Sequence, residues 1–227
     1  MKNRPVVTIN CAASADGRVA LPDRKQATLS CKEDFWRVHK MRANSDAILV
    51  GLGTVLSDDP KLTVSSKYYV LEAGEKNPVR VVLDSRGRTP RSAMVMNEMS
   101  RTIIATSNKV VLKDLPPHVV QLDCGDEIEE GKVNLEILLD KLFGMGIRRL
   151  MVEGGPTVIA SFLKKGLFDF FYIYFSPVVF GGGPPIAEDN IMSENFKRNA
   201  VWNITRLKLE RVENLGEGFV AVYIPYT

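Results

Sequence analysis

Along the first two-thirds of the chain, short runs of β-branched and aliphatic residues alternate with stretches in which apolar positions recur at helical spacing. The runs PVVTINCA (residues 5–12), DAILVG (46–51), VRVVLD (79–84), RTIIATS (101–107), HVVQLDC (118–124) and IRRLMVEG (147–154) have the length and composition of strands. Between them, CKEDFWRVHKMRAN (31–44) places Phe35, Val38, His39 and Arg42 near one helical face, with Ser30 as its cap and Glu33 completing a capping box. NLEILLDKLFGMG (134–146) carries Leu135, Leu138, Leu139 and Leu142 at helical spacing and ends in glycine. This alternation predicts an α/β fold with a mostly parallel central sheet. The last third differs: FDFFYIYFSPVVFGGGPP (168–185) is a long aromatic run, and ITRLKLERVENLGEGFVAVYIPY (204–226) reads as two strands about a glycine-rich turn. An antiparallel extension of the same sheet is expected there. No repeat or linker divides the chain, so residues 1–227 are read as one domain.

Composition narrows the function classes. With 30 Lys and Arg against 27 Asp and Glu the net charge is only +3, and no basic run stands out, which argues against a nucleic-acid partner. Cys11, Cys31 and Cys124 are an odd number without CxxC or Cys/His metal spacing, as expected of reduced thiols in a cytoplasmic protein that holds no metal. The amino terminus lacks a signal-peptide core, and no apolar run approaches the roughly 20 residues that span a bilayer, so no membrane partner is expected. His39 and His118 are the only histidines and neither sits in a triad pattern; Trp36 and Trp202 read as packing residues.

Four constellations carry candidate chemistry. In AILVGLGTVLSDDPKLTV (47–64), Gly51 and Gly53 follow a strand that reads as buried, where an open sheet binds ligands, and Thr54 is placed to begin a short helix. The same residues also make an ordinary strand-to-helix turn. In VEGGPTVIASFLKKG (152–166), two glycines and a proline separate a strand from an amphipathic helix beginning near Thr157, a better site for a dinucleotide phosphate. Glu153 just before them is repelled by an anion unless it serves another part of the ligand. VVLDSRGR (81–88) ends a strand in an acid followed by Ser85 and Arg86, a pair able to hold a 2′-phosphate and so to favour NADPH over NADH. Finally, NCAASADGRVAL (10–21) breaks a strand at Asp16-Gly17, by itself little more than a hairpin signal.

Taken together and in this order, SADGRVA, RVHKMRANSDAILVGLGTVLSDDPKLTV, PVRVVLDSRGRTP, MVEGGPT and SPVVFGGG resemble the riboflavin-biosynthesis reductase family, over nearly the whole chain. The resemblance implies a dihydrofolate-reductase-like α/β fold with helices on both faces of the sheet, a cytoplasmic homodimer, and NADPH, with NADH as the alternative cofactor. It places Ala12, Thr54, Asp58, Ser85, Arg86, Gly155, Pro156 and Thr157 at the cofactor, and Gln26, Arg42, Leu62 and Glu153 at a phosphorylated pyrimidine substrate. Bacterial relatives have an arginine where Ser65 stands here, which shifts the grip on the substrate phosphate to Arg42, Lys61 or a loop lysine. The chain is most similar to the stand-alone archaeal members. In bacteria the domain is fused to a zinc deaminase, whose HxE…PCxxC signature is absent from this sequence, pointing to a diaminopyrimidinone substrate reduced before deamination.

The implied reaction opens a ribosylamine to an imine and adds hydride at C1′, giving a ribitylamine. Positioning dominates such a step, and a carboxylate beside the iminium cation suits Glu153, with Asp16 and Asp58 as weaker candidates. Three other readings stay open: reduction of the deaminated uracil, a dihydrofolate reductase, and a non-catalytic NADPH-binding module.

Overall fold

The computed structural model describes residues 3–25, 27–107, 110–125, 131–188 and 205–226. Each run read as a strand forms one: β1 (Val6–Ser14), β2 (Ala47–Gly51), β3 (Val79–Leu83), β4 (Thr102–Thr106), β5 (Val119–Asp123), β6 (Arg149–Gly154) and β7 (Phe170–Ser176). The last two, β8 (Leu207–Leu215) and β9 (Gly218–Pro225), make the expected hairpin. All lie in one nine-stranded sheet of order β5-β4-β3-β2-β6-β1-β7-β9-β8. Pairings from β5 through β7 are parallel, and the β7–β9 and β9–β8 pairings are antiparallel. Because the parallel strands share one direction, their carboxyl ends form a single edge of the sheet.

Among the described residues four α-helices cover the two faces: α1 (Lys32–Ala43), α2 (Leu52–Asp58), α3 (Leu135–Gly144) and α4 (Pro156–Lys164). Alternation along the strands decides which side chain meets which helix. Leu49, Val81, Ile103 and Val152 pack with the α3 leucines and with Ile159 and Phe162 of α4. Their neighbours Ile48, Val50, Val82, Ile104 and Met151 pack on the other face with Val55 of α2 and with Val38 and Met41 of α1. In α3 the four expected leucines are all buried, and Asn134 caps the helix by accepting from the amides of Glu136 and Ile137.

Helix α1 departs from expectation at its start. Its cap residue is Cys31, which makes no side-chain capping bond. Ser30 instead donates through Oγ to Asp34 Oδ2 at 2.5 Å, and Asp34 in turn receives Arg37 Nε at 2.8 Å. The buried Asp34 thus competes successfully for the hydroxyl that would otherwise cap the amides. Trp36 is not a packing residue: it is 48% exposed and lies under the Lys40 ammonium, 4.8 Å from its ring centroid. Trp202 lies outside the described residues.

The Asp16-Gly17 turn does more than reverse the chain. Asp16 accepts Ser14 Oγ at 2.6 Å and the amides of Phe180 and Gly181, tying the end of β1 to the glycine-rich segment after β7. Arg18 then bridges to Pro185, and a side chain at Gly183 would collide with the Ala20 carbonyl 2.3 Å away. The FGGG sequence is therefore a close backbone crossing beside the sheet edge.

Candidate active site

A cavity of about 830 Å³ opens at the carboxyl ends of β1, β6 and β2. Ala12, Arg42, Thr54, Asp58, Leu62, Glu153, Gly155, Pro156 and Thr157 all line it, so nine of the positions marked in the sequence converge. The strand order explains how. β2, β6 and β1 are successive neighbours, so the turns after β2 and β6 stand side by side, with Ala12 one strand further on.

The glycines serve close approach between these turns. A Cβ on Gly51 would sit 2.8 Å from Val158 Cγ2, and one on Gly155 would sit 3.3 Å from Thr54 Oγ1. Helix α2 begins at Leu52, two residues before Thr54, which therefore lies inside its first turn rather than at its start. Helix α4 begins at Pro156 with Gly155 as its cap and no capping side chain, so its first turn lines the cavity with no Cβ at the cap position. The peptide between Gly154 and Gly155 is cis.

Beside this backbone surface, on the same cavity lining, stands an ion pair. β6 carries one residue more than β2 near its end, with Leu49 opposite Val152 and Val50 opposite Gly154. Glu153 is that additional residue, and such bulges commonly re-aim a side chain beside a ligand site. Its Oε1 and Oε2 receive Arg42 Nε and Nη2 of α1, each at 2.7 Å, while Arg42 Nη1 donates to the Thr63 carbonyl at 3.0 Å. The two side chains are only 17% and 13% exposed. Burial alone would lower the Arg42 pKa, but the Glu153 carboxylate reverses this and raises it overall. Glu153 thus accepts two bonds from Arg42 while lining the cavity. Each Arg42 nitrogen thus donates once, which leaves one N–H on each of Nη1 and Nη2 for a further acceptor.

Other marked residues lie elsewhere. Ser85 and Arg86 follow β3, one strand beyond β2, and are not on the cavity wall; Ser85 Oγ accepts the Val133 amide at 3.2 Å, and Arg86 is exposed. The neighbouring Asp84 is buried, with Oδ2 taken by the amide and hydroxyl of Thr89 at 2.6 and 2.8 Å. Gln26 lies outside the described residues. Asp16 is not on the wall, and its hydrogen bond from Ser14 and those from the amides of Phe180 and Gly181 lower its pKa to about 2. It serves as a loop tie, not as a group beside the reacting atoms.

The sequence reading did not mark Arg24, Thr28, Ser30, Phe35 or Glu188, which also line the cavity. Arg24 and Glu188 face each other at 3.6 Å, and the Glu188 amide donates to the Pro156 carbonyl. The signal for Glu188 was the FGGGPP run, which brings the following chain back over the sheet edge. Cys11 on the wall is no nucleophile, because burial pushes its thiol up to about 12 against the pull of Arg37. Among the described residues no group of three potential metal ligands is assembled, and no helix is long and apolar enough to cross a membrane.

A mostly parallel sheet whose adjacent strand ends open into one cavity, lined by glycine turns and by a carboxylate paired with arginine, defines an open α/β protein with a ligand cleft at its strand ends. The chain belongs to the family described as the RibD C-terminal domain, whose model matches residues 5–221. It is 40% identical over 222 residues, 95% of this chain and 96% of the relative, to the 2,5-diamino-6-ribosylamino-4(3H)-pyrimidinone 5′-phosphate reductase of Archaeoglobus fulgidus. Among solved structures, a diaminohydroxyphosphoribosylaminopyrimidine deaminase/5-amino-6-(5-phosphoribosylamino)uracil reductase from Thermotoga maritima matches 99% of the chain with TM-score 0.78 at 28% identity. The chain spans 58% of that protein. A dihydrofolate reductase from Enterococcus faecalis, TM-score 0.51 at 11% identity over 100% of this chain and 99% of its own, shares the fold alone. The expected dihydrofolate-reductase-like architecture is thereby confirmed.

Proposed function

We propose that this chain is an NADPH-dependent reductase of riboflavin biosynthesis that converts the ribosylamino side chain of 2,5-diamino-6-ribosylamino-4(3H)-pyrimidinone 5′-phosphate to the ribitylamino form. The observation that carries the reading is the single cavity that brings together the glycine turns after β2 and β6, the start of α4 and the Arg42–Glu153 pair. Its chemistry matches the name of the archaeal relative.

The residues present fit a dinucleotide. Ala12, Gly155, Thr54 and Ser85 follow β1, β6, β2 and β3 or lie near their ends, and these strands are consecutive in the sheet. At roughly 4.8 Å per strand they span about 14 Å, as two nucleosides joined by a pyrophosphate require. Gly155, Pro156 and Thr157 would hold the pyrophosphate, Thr54 and Asp58 the adjoining ribose and phosphate, and Ala12 the nicotinamide. A reduced nicotinamide, when bound, supplies the hydride. With Asp84 turned into the fold, no strand-end acid opposes a 2′-phosphate, and the exposed Arg86 favours it.

Glu153 would do two things on the substrate side. Fixed in place by Arg42, its carboxylate stabilises the cation of the protonated imine as the ribose ring opens, and it accepts hydrogen bonds from the sugar or the pyrimidine. Leu62 supplies an apolar wall that limits water at the reacting carbon. Edge strand β8, exposed along most of its length with Leu209 and Val212 half in solvent, supports a homodimer.

Purified protein mixed with NADPH and the diamino substrate should consume NADPH, with little turnover of the deaminated uracil. Oxidation with the uracil alone would move the reaction after deamination, and silence with both, despite NADPH binding, would leave a nucleotide-binding module.

A further inference from the structure

Residues 62–65 form a strap that leads away from the cavity wall at Leu62 and is tied at successive backbone groups. The Thr63 carbonyl accepts Arg42 Nη1 at 3.0 Å, the Val64 amide donates to Asn77 Oδ1 at 2.9 Å, and the Ser65 amide donates to His39 Nδ1 at 3.1 Å. At the head of the strap Leu62 is buried at φ +50°, a left-handed conformation unfavourable for its branched side chain. The ties on the following residues hold it there.

His39 and Arg42 lie three residues apart on α1 and so project from the same face. The His39 ring also stacks on Tyr68, with centroids 5.1 Å apart and planes 14° apart. Tyr68 stacks in turn on Phe35 at 5.0 Å, and Phe35 reaches the cavity wall. One imidazole therefore touches both the strap and the aromatic stack beside it.

We infer that His39 is a positioning residue for the pyrimidine substrate, fixing residues 62–65 through an acceptor at Nδ1 so that Leu62 and the Arg42–Glu153 pair meet the substrate in register. This rests on reading the Arg42 side of the cavity as the substrate side. Charged and titratable groups face the ring from each packed element: Arg42 on α1, Glu153 on β6, and Tyr68 in the turn, with the Lys67 ammonium over its ring. Burial, aided by Arg42 and opposed by Glu153, lowers the His39 pKa to about 4. The ring is thus neutral near neutral pH, carrying its proton on Nε2 while Nδ1 accepts.

The test compares three variants. His39→Phe keeps a stacking ring but removes the acceptor. His39→Asn places an oxygen near the Nδ1 position, and His39→Gln carries it one carbon further. Losing one hydrogen bond should raise KM for the pyrimidine about fivefold in His39→Phe, with KM for NADPH unchanged. His39→Asn should restore the wild-type KM and His39→Gln should not. Amide exchange in residues 62–65, read by mass spectrometry, should be faster in the Phe and Gln variants only. If the Phe variant does not fold, the Asn and Gln pair decides.

Equal behaviour of Asn and Gln, or a matching rise in KM for both ligands, would overturn the inference. Wild-type protein inactive on every pyrimidine would instead sink the substrate reading, while the exchange data would still judge the clamp.

Discussion

Arg42 and Glu153 stand 111 residues apart in the chain and meet in two parallel hydrogen bonds of 2.7 Å. The fork is the strongest geometry available to this pair, and its burial makes each partner dependent on the other. Glu153→Gln keeps the shape but leaves the Arg42 guanidinium without its counter-charge. Stability should fall by about 3 kcal/mol in urea unfolding, and kcat/KM for the pyrimidine by about a hundredfold. A variant that loses stability but retains full kcat/KM would reduce Glu153 to a structural role.

Gly51 illustrates a glycine kept for space alone. Its φ of −83° and ψ of 157° suit any residue, yet a Cβ would lie 2.8 Å from Val158 Cγ2 on α4. Gly51→Ala should therefore destabilise by about 1–2 kcal/mol, lowering Tm by about 4 °C. Removing the opposing methyls with Val158→Ala should recover part of that loss, since the two sites are coupled. Calorimetry on the two single variants and the double variant checks this, and simple additivity would contradict the contact.

The strands and the glycine turns were legible in sequence because they depend on local preference: β-branched runs, helical leucine spacing, and glycine or proline at strand ends. The convergence of Ala12, Thr54 and Gly155 then follows from strand order, which local pattern does not specify and which here came through the family resemblance. The Arg42–Glu153 fork was hidden because long-range ion pairs leave no periodic trace. Ser30 failed as a cap because a buried acid four residues on competes for its hydroxyl, as the bond to Asp34 shows. Asp16 looked like a candidate for chemistry because a turn acid is ambiguous until its partners are known. Those partners are amides 164 and 165 residues away.

Arg86 bears on cofactor choice. It is exposed beside a strand-end acid whose carboxylate is turned inward to Thr89, and on the proposed reading it is the cation that meets the 2′-phosphate. Arg86→Ala should raise KM for NADPH about tenfold and leave KM for NADH nearly unchanged. Steady-state kinetics with both cofactors decides it, and equal effects on the two would remove the 2′-phosphate assignment.

His39 ties the site to acid stability. An unfolded histidine takes up its proton near pH 6.5, whereas burial, with Arg42, holds the folded ring down to about 4. Between those values the unfolded chain binds more protons, so stability must rise with pH. The contribution is fully present above about pH 6.5, erodes as pH falls below it, and is gone below about pH 4. At about pH 5 the loss is roughly 2 kcal/mol relative to neutral pH. His39→Asn has no proton to take up, so its stability should fall less than that of wild type over the same interval, by about that amount. The carboxylates titrate in both proteins and largely cancel from the comparison. Urea unfolding of wild type and variant at neutral pH and at about pH 5 measures the difference, and parallel losses would show that His39 is protonated as readily folded as unfolded.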